Sequence, residues 1–205
     1  EGQWKFISPK GLKKKYHDHT RHQNKPVYLL CSGAYVPSDF QIVRAYLGKK
    51  YVWGYFPETK HYDIEALMAG KGYVTESGEK LPYLLWAARM IDWKHPEHAL
   101  EVAGYLSMLN EKQGMDIQYK LTMIGEGPLR ENLEKVAKEK NLNVEFLDFM
   151  EPAKVREYML DANIYLFTSD FKEGWGAVLN EALNSCCAVV ASSGIGAVPF
   201  LLKDG

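Results

Sequence analysis

The chain has 205 residues, of which 46% are aliphatic, aromatic, Met or Cys and 25% are charged. That composition can bury a core, and it sets aside disordered, collagen-like and mucin-like chains. At ~150 residues per domain there is room for one full domain and roughly a third of another, and a net charge of −1 excludes a strongly basic nucleic-acid binder and an acidic tail protein.

Cys31, Cys186 and Cys187 are an odd number, and adjacent cysteines do not close a normal bridge with each other. They predict reduced thiols and a cytoplasmic protein. No apolar run approaches the ~18 residues of a membrane span. The chain starts Glu1-Gly2 without Met and ends on Lys203-Asp204-Gly205, which resembles a helix stop. Both ends suggest a piece of a longer protein.

In chain order, residues 1–25 are polar and basic, with Lys13-Lys14-Lys15 followed by His17, His19, Arg21 and His22. A solvated loop or short helix is expected there; His-x-His without Cys or a second ligand pair is weak evidence for a metal. Val27–Cys31 reads as a buried strand and Ser38 to Gln41 as a capping box opening a short helix that Gly48 stops. Lys50–Trp53 reads as a second strand. From Gly54 to Leu81 the periodicity fades, which marks a linker and domain boundary.

Beyond it, strands at Tyr83–Ala88, Ile117–Ile124, Val144–Leu147, Ile164–Phe167 and Ala188–Ala191 alternate with helices. These open at Pro96, near Pro128, at Ala153 and near Trp175, and a short segment follows around Val198 to Leu202. Regular β–α alternation with apolar strands predicts an open, doubly wound parallel sheet with helices on both faces, so the fold class is α/β.

In such a sheet ligands sit beyond the carboxyl ends of the strands. Four loops qualify: Arg89 with Lys94; Gly125-Glu126-Gly127-Pro128; Asp148-Phe149-Met150; and Thr168 through Gly176, which contains Glu173. Cations beside helix N-termini suit a diphosphate, although Arg89 and Lys94 are as readily solvated residues pairing with Asp92 or Glu97. Arg130 stands where the third glycine of a GxGxxG fingerprint would be, and no Walker lysine follows, which weakens hydride-transfer and P-loop readings. Glu173 and Glu181, with seven residues between them, can face one crevice, where a carboxylate accepts paired hydrogen bonds from vicinal hydroxyls. An acidic first turn and an ordinary exposed Glu explain the same letters.

Ala88-Arg89 with Lys94, Met123 through Leu129, Val144 through Leu147, and above all Glu173-Gly174-Trp175-Gly176-Ala177-Val178-Leu179-Asn180-Glu181-Ala182 together resemble the retaining glycosyltransferases of family 4, which have the two-domain GT-B architecture. The resemblance runs from about Tyr83 to Gly205 and more weakly from Val27 to Glu58. It implies a Rossmann-like donor domain at 82–205, incomplete at its C-terminus, a linker at 58–81, and the end of an acceptor-side α/β domain at 1–57. By position, Arg89 and Lys94 match the basic pair on the donor diphosphate, Glu173 the glutamate at the donor sugar, and Glu181 the one on the ribose. Gly125 and Glu126 line the donor cleft, Phe149 passes the base, and Val178 and Leu179, beside Ala177 at the helix start, offer N–H groups to phosphate. Trp175 replaces a common Phe, and Phe200 stands where an acidic residue is common.

The implied activity is metal-independent, retaining transfer of a hexose from a nucleoside-diphosphate sugar to a glycan or lipid-linked acceptor in polysaccharide biosynthesis, with no cofactor and no nucleic acid. The basic start would allow peripheral contact with the inner face of a membrane. The alternatives are a nucleotide-sugar-binding module without transfer activity and a nucleotide-sugar epimerase. This chain alone is expected to bind donor poorly and to transfer nothing.

Overall fold

The computed structural model describes residues 8–203. The first seven residues of the basic start, and Asp204-Gly205 of the expected helix stop, lie outside them. The chain folds as α1 (Pro9–Asp18), β1 (Leu29–Ser32), α2 (Val36–Ile42), β2 (Lys50–Trp53), α3 (Ile64–Gly70), the short strands β3 (Tyr73–Val74) and β4 (Lys80–Leu81), then β5 (Tyr83–Ala87), α4 (Pro96–Gln113), β6 (Lys120–Ile124), α5 (Arg130–Glu139), β7 (Val144–Leu147), α6 (Pro152–Asp161), β8 (Ile164–Phe167), α7 (Ala177–Asn184), β9 (Ala188–Ala191) and α8 (Val198–Leu201).

Five strands form one parallel sheet in the order β7-β6-β5-β8-β9. β5 is central, and the chain winds outward from it first through β6 and β7, then through β8 and β9. The loops after β5, β6 and β8 therefore open at the point where the winding reverses, the place where such sheets bind ligands.

Two-residue alternation sends each strand's side chains to two separate cores. Leu84 and Trp86 of β5, Leu121 and Met123 of β6, and Leu166 of β8 pack under α4 and α5 with Ala99, Leu100, Ala103, Leu133 and Ala137. Tyr83 and Leu85, Ile124, and Tyr165 and Phe167 face the other way, against Met159 of α6 and Leu179 and Ala182 of α7. Pro96 occupies the first turn of α4, where its missing N–H costs no helical bond.

Two local expectations are corrected, and the stretch read as a linker shows elements of its own. The proposed capping box is not formed: α2 begins at Val36, the Ser38 hydroxyl donates to the Tyr35 carbonyl at 2.7 Å, and the helix ends at Ile42, before the left-handed Arg44 and Tyr46. The sixth strand is shorter than Ile117–Ile124 because Asn110 holds the Ile117 N–H and carbonyl at the end of α4. The aperiodic stretch before β5 is ordered: Asp63 caps α3 through the Ala66 N–H, and β3 and β4 pair antiparallel. These elements are too short for a period to register.

That stretch is fastened to the large sheet by Lys71, only 4% exposed. Its ammonium donates to the carbonyls of Met159, Leu160 and Ala162 at 3.0, 3.1 and 2.7 Å, at the C-terminal end of α6. A cation there matches the helix dipole and occupies carbonyls that lack helical partners. Burial pulls the Lys71 pKa down. Cys31, Cys186 and Cys187 are free thiols, and no helix among the described residues is long and apolar enough to cross a membrane.

Burial raises two phenols under the sheet: Tyr83 is pushed from 10.0 up to about 12, and Tyr165 is also pushed upward. A raised folded value means the protonated phenol favours the folded state below the unfolded value, and this contribution is lost as pH rises through the folded one. Denaturant midpoints should therefore fall between pH 10 and about 12, and Tyr165→Phe should flatten that fall; a Tyr165→Phe curve parallel to wild type would contradict the assignment.

Candidate active site

The cleft is built by four loops. Residues 125–127 lie flat on residues 88–90: the Met90 N–H donates to the Glu126 carbonyl at 2.8 Å and the Leu129 N–H to the Met90 carbonyl at 3.2 Å. Gly125 has φ +139°, and a Cβ there would sit 2.0 Å from the Ala88 carbonyl oxygen, so only glycine fits. Arg130 fixes this loop from below, donating to the carbonyls of Gly125 and Leu147 at 3.1 and 3.3 Å and to Asp148 at 2.7 Å. The residue that breaks the dinucleotide fingerprint is thus the clamp of the glycine loop.

The loops after β5 and β8 are joined along their backbones. The Thr168 hydroxyl accepts from the Trp86 indole at 2.9 Å and donates to the Lys94 carbonyl at 2.6 Å. The Asp170 N–H donates to the Trp93 carbonyl at 3.0 Å, and the Glu173 N–H to the Asp170 carbonyl at 3.0 Å. As a result Lys94 and Glu173 form an ion pair with side chains only 15% and 17% exposed. Lys94 also lies 4.4 Å from the centre of the Trp93 ring. Burial makes such a pair far less screened than a surface one, and it makes each partner depend on the other.

The pair lines a cavity of about 410 Å³ with Arg89, Gly176, Ala177 and Val178. Beside it a cavity of about 510 Å³ is lined by Gly125, Glu126, Phe149, Val155, Val178 and Glu181, among others. Ala87, Ala88, Arg89 and Val178 line both, so the two are chambers of one cleft of the size that takes small ligands. Phe149 is 66% exposed, leaving a ring face open to a planar partner.

No side chain caps the start of α7. The Leu179 N–H already donates to the Gly176 carbonyl at 2.9 Å, and the Leu179 side chain is fully buried. Ala177 and Val178 therefore face the cleft at the helix start, whereas Leu179 belongs to the core and its N–H is committed. The Leu179 N–H, expected to meet phosphate, is thus hydrogen-bonded within the first turn. Arg89 is exposed at the mouth, and among the described residues no acid pairs with it; the expected pairings of Arg89 and Lys94 with Asp92 or Glu97 are not formed.

Glu181 lines the larger chamber and Glu173 the smaller. The Glu181 carboxylate is met at 3.2 Å by the guanidinium of Arg156 on α6, a residue that sequence spacing does not relate to it. Thr168 and Arg130 were likewise not singled out as site residues, because their roles are to carbonyls that no motif displays.

The amino-terminal histidines do not gather: His17 pairs with Asp18 and His22 accepts from Arg21. Among the described residues one group, His95, Glu97 and His98, has ligand atoms within 4.8 Å of one another. Carboxylates already stand at both nitrogens of His95, Glu97 at 2.8 Å and Asp170 at 3.8 Å.

The β1–α2 unit packs against the loops that carry Glu173 and Gly196. The Ala34 N–H donates to the Gly196 carbonyl at 2.9 Å, and the Gly196 N–H to the Glu173 carbonyl at 3.1 Å. Tyr35 also donates to the Ser193 carbonyl. Gly33, Gly174 and Gly196 touch backbone to backbone: a Cβ on Gly196 would lie 1.8 Å from the Gly174 oxygen.

A five-stranded α/β sheet with this cleft at its winding reversal defines a nucleotide-binding class of fold. Residues 73–205 match the family Glycosyl transferases group 1, and the chain belongs to that family. Solved GT-B glycosyltransferases share the fold. TarM of S. aureus is 20% identical, with TM-score 0.67 over 97% of this chain and 36% of its own. HepE of Anabaena, crystallised with UDP and glucose, is 16% identical, with TM-score 0.66 over 97% and 52%. The pneumococcal O-GlcNAc transferase GtfA is 14% identical, with TM-score 0.54 over 85% and 32%. The chain thus spans about a third to a half of these structures. A search of the curated proteins gives no match.

Thr168→Val removes both hydrogen bonds of the Thr168 hydroxyl, the one from the Trp86 indole and the one that holds the Lys94 carbonyl, while keeping the side-chain shape. It should destabilise the protein by about 1–3 kcal/mol, leaving two polar groups unpaired. Thermal or urea denaturation checks this, and an unchanged midpoint would show that Lys94 is held without it.

Proposed function

We propose that this chain supplies the donor site of a family 4, retaining glycosyltransferase that moves a hexose from a nucleoside-diphosphate sugar to a glycan or lipid-linked acceptor. The observation that carries the reading is the largely buried Lys94–Glu173 pair beside the uncapped start of α7, with Arg89 at the same mouth. Residues 82–205 are the donor domain, 58–81 the connection, and 1–57 the end of the acceptor-side domain. The β1–β2 pair leaves Leu30, Tyr51, Val52 and Trp53 exposed, as a sheet expecting further cover would; two strands alone do not make an independent unit. The work is polysaccharide biosynthesis in the cytoplasm, at the inner face of a membrane when the acceptor is lipid-linked.

Cleaving the bond from the anomeric carbon to the diphosphate oxygen leaves the electron pair on phosphate and positive charge on the sugar ring. Arg89, Lys94 and the N–H groups of Ala177 and Val178 stabilise the first charge without a metal. The acceptor oxygen bonds the anomeric carbon on the face the phosphate leaves, which retains configuration. Glu173 then orients sugar hydroxyls rather than attacking carbon, and Glu181 takes the ribose hydroxyls while the base lies near Phe149. No cofactor enters the reaction.

UDP is the first probe to use, since TarM and HepE were each crystallised with it. UDP at 100 times its dissociation constant should stabilise the intact protein by ~2.7 kcal/mol. Lys94→Ala should weaken UDP binding and sugar transfer by ~10-fold or more, the scale of one charge-assisted contact. No thermal shift with any nucleoside diphosphate would overturn the reading.

A further inference from the structure

Arg156 is the one described residue with a buried side-chain nitrogen that has no hydrogen-bond partner: its Nε is enclosed and unpaired. The same guanidinium meets Glu181 Oε1 at 3.2 Å through a terminal nitrogen, and the two side chains are 24% and 19% exposed. Burying a donor without a partner opposes folding, so packing alone would favour an apolar side chain of similar length here. What Arg156 gives in exchange is a fixed carboxylate.

The geometry shows which part of Glu181 it fixes. Glu181 lines the larger chamber, whereas its neighbour Val155, and not Arg156, completes the wall on the α6 side. The guanidinium therefore grips Glu181 from behind. It holds one carboxylate oxygen and leaves the other without a side-chain partner among the described residues. A free glutamate side chain samples several rotamers, and ordering it on binding has a cost that a pre-set one avoids.

Resting on the donor reading above, we infer that Arg156 is a positioning residue: it pre-sets the Glu181 carboxylate to accept a vicinal diol, and so makes the larger chamber select a ribose over a 2′-deoxyribose. It touches no substrate itself. α6 and α7 pack through Met159, Leu179 and Ala182, all fully buried, so the spacing between the two side chains is set by the core and not by the ligand.

The test is titration of the intact protein with UDP and with 2′-deoxy-UDP, alongside Arg156→Met, Arg156→Gln and Arg156→Lys. Wild type should prefer UDP by about tenfold or more, the value of one hydrogen bond to a charged group. Arg156→Met and Arg156→Gln should bring the ratio close to one, mainly by weakening UDP, while Arg156→Lys restores part of it. In Glu181→Gln the ratio should already be low, and adding Arg156→Met should change it little further. A ratio kept at the wild-type value in Arg156→Met, with both nucleotides equally weakened, would assign Arg156 to the scaffold and overturn the inference. So would loss of folding in both Arg156→Met and Arg156→Gln. Wild type that binds both nucleotides equally would overturn the inference and leave the donor reading standing; wild type that binds neither would overturn both.

Discussion

Lys94 and Glu173 come from loops 79 positions apart and meet with both side chains mostly withdrawn from solvent. Each offsets the cost of the other's burial, since a partly buried ion without a partner is costly. The hydrogen bonds from Thr168 to the Lys94 carbonyl and from the Asp170 N–H to the Trp93 carbonyl bring the two loops together. β5 and β8 are neighbours in the sheet, so the pair is a consequence of strand order: only when the chain winds back past β5 does the Glu173 loop arrive beside the Lys94 loop. The cleft follows from that meeting, with Arg89 at its rim and the start of α7 at its floor.

The same loop carries the contact between the two parts of the chain. The Glu173 carbonyl accepts from Gly196, Gly196 in turn receives Ala34, and Gly33 lies against Gly174. Three backbones meet there, and neither Gly33 nor Gly196 has space for a single added carbon. Any shift of the β1–α2 unit is therefore transmitted directly to the peptide that holds Glu173. The joint sits one residue from Glu173, a charged group of the site.

Much of this was legible in the sequence, for identifiable reasons. Strands such as Val144–Leu147 and Ile164–Phe167 are short apolar runs between turn signals, and their boundaries match. Lys94, Glu173 and Glu181 could be proposed because ligand groups follow strand ends. Three things could not be read. α3 and the β3–β4 hairpin are too short to show a period, and their anchor, Lys71, works through carbonyls that have no sequence signature. Leu179 was expected at phosphate by the family resemblance alone, and no residue pattern shows that the first turn uses its N–H. Arg156 and Glu181 are on different helices, and only the packing of α6 against α7 reveals that they meet.

In the proposed donor site Lys94, paired with Glu173, also serves the diphosphate, so the two anions draw on the same lysine. Isothermal titration of UDP against wild type and Glu173→Gln tests it most directly. Removing the carboxylate charge frees Lys94 and removes a repulsive anion, so the substitution should tighten UDP binding, and the gain should vanish when Lys94→Ala is added. UDP binding weakened by Glu173→Gln as much as by Lys94→Ala would contradict the account.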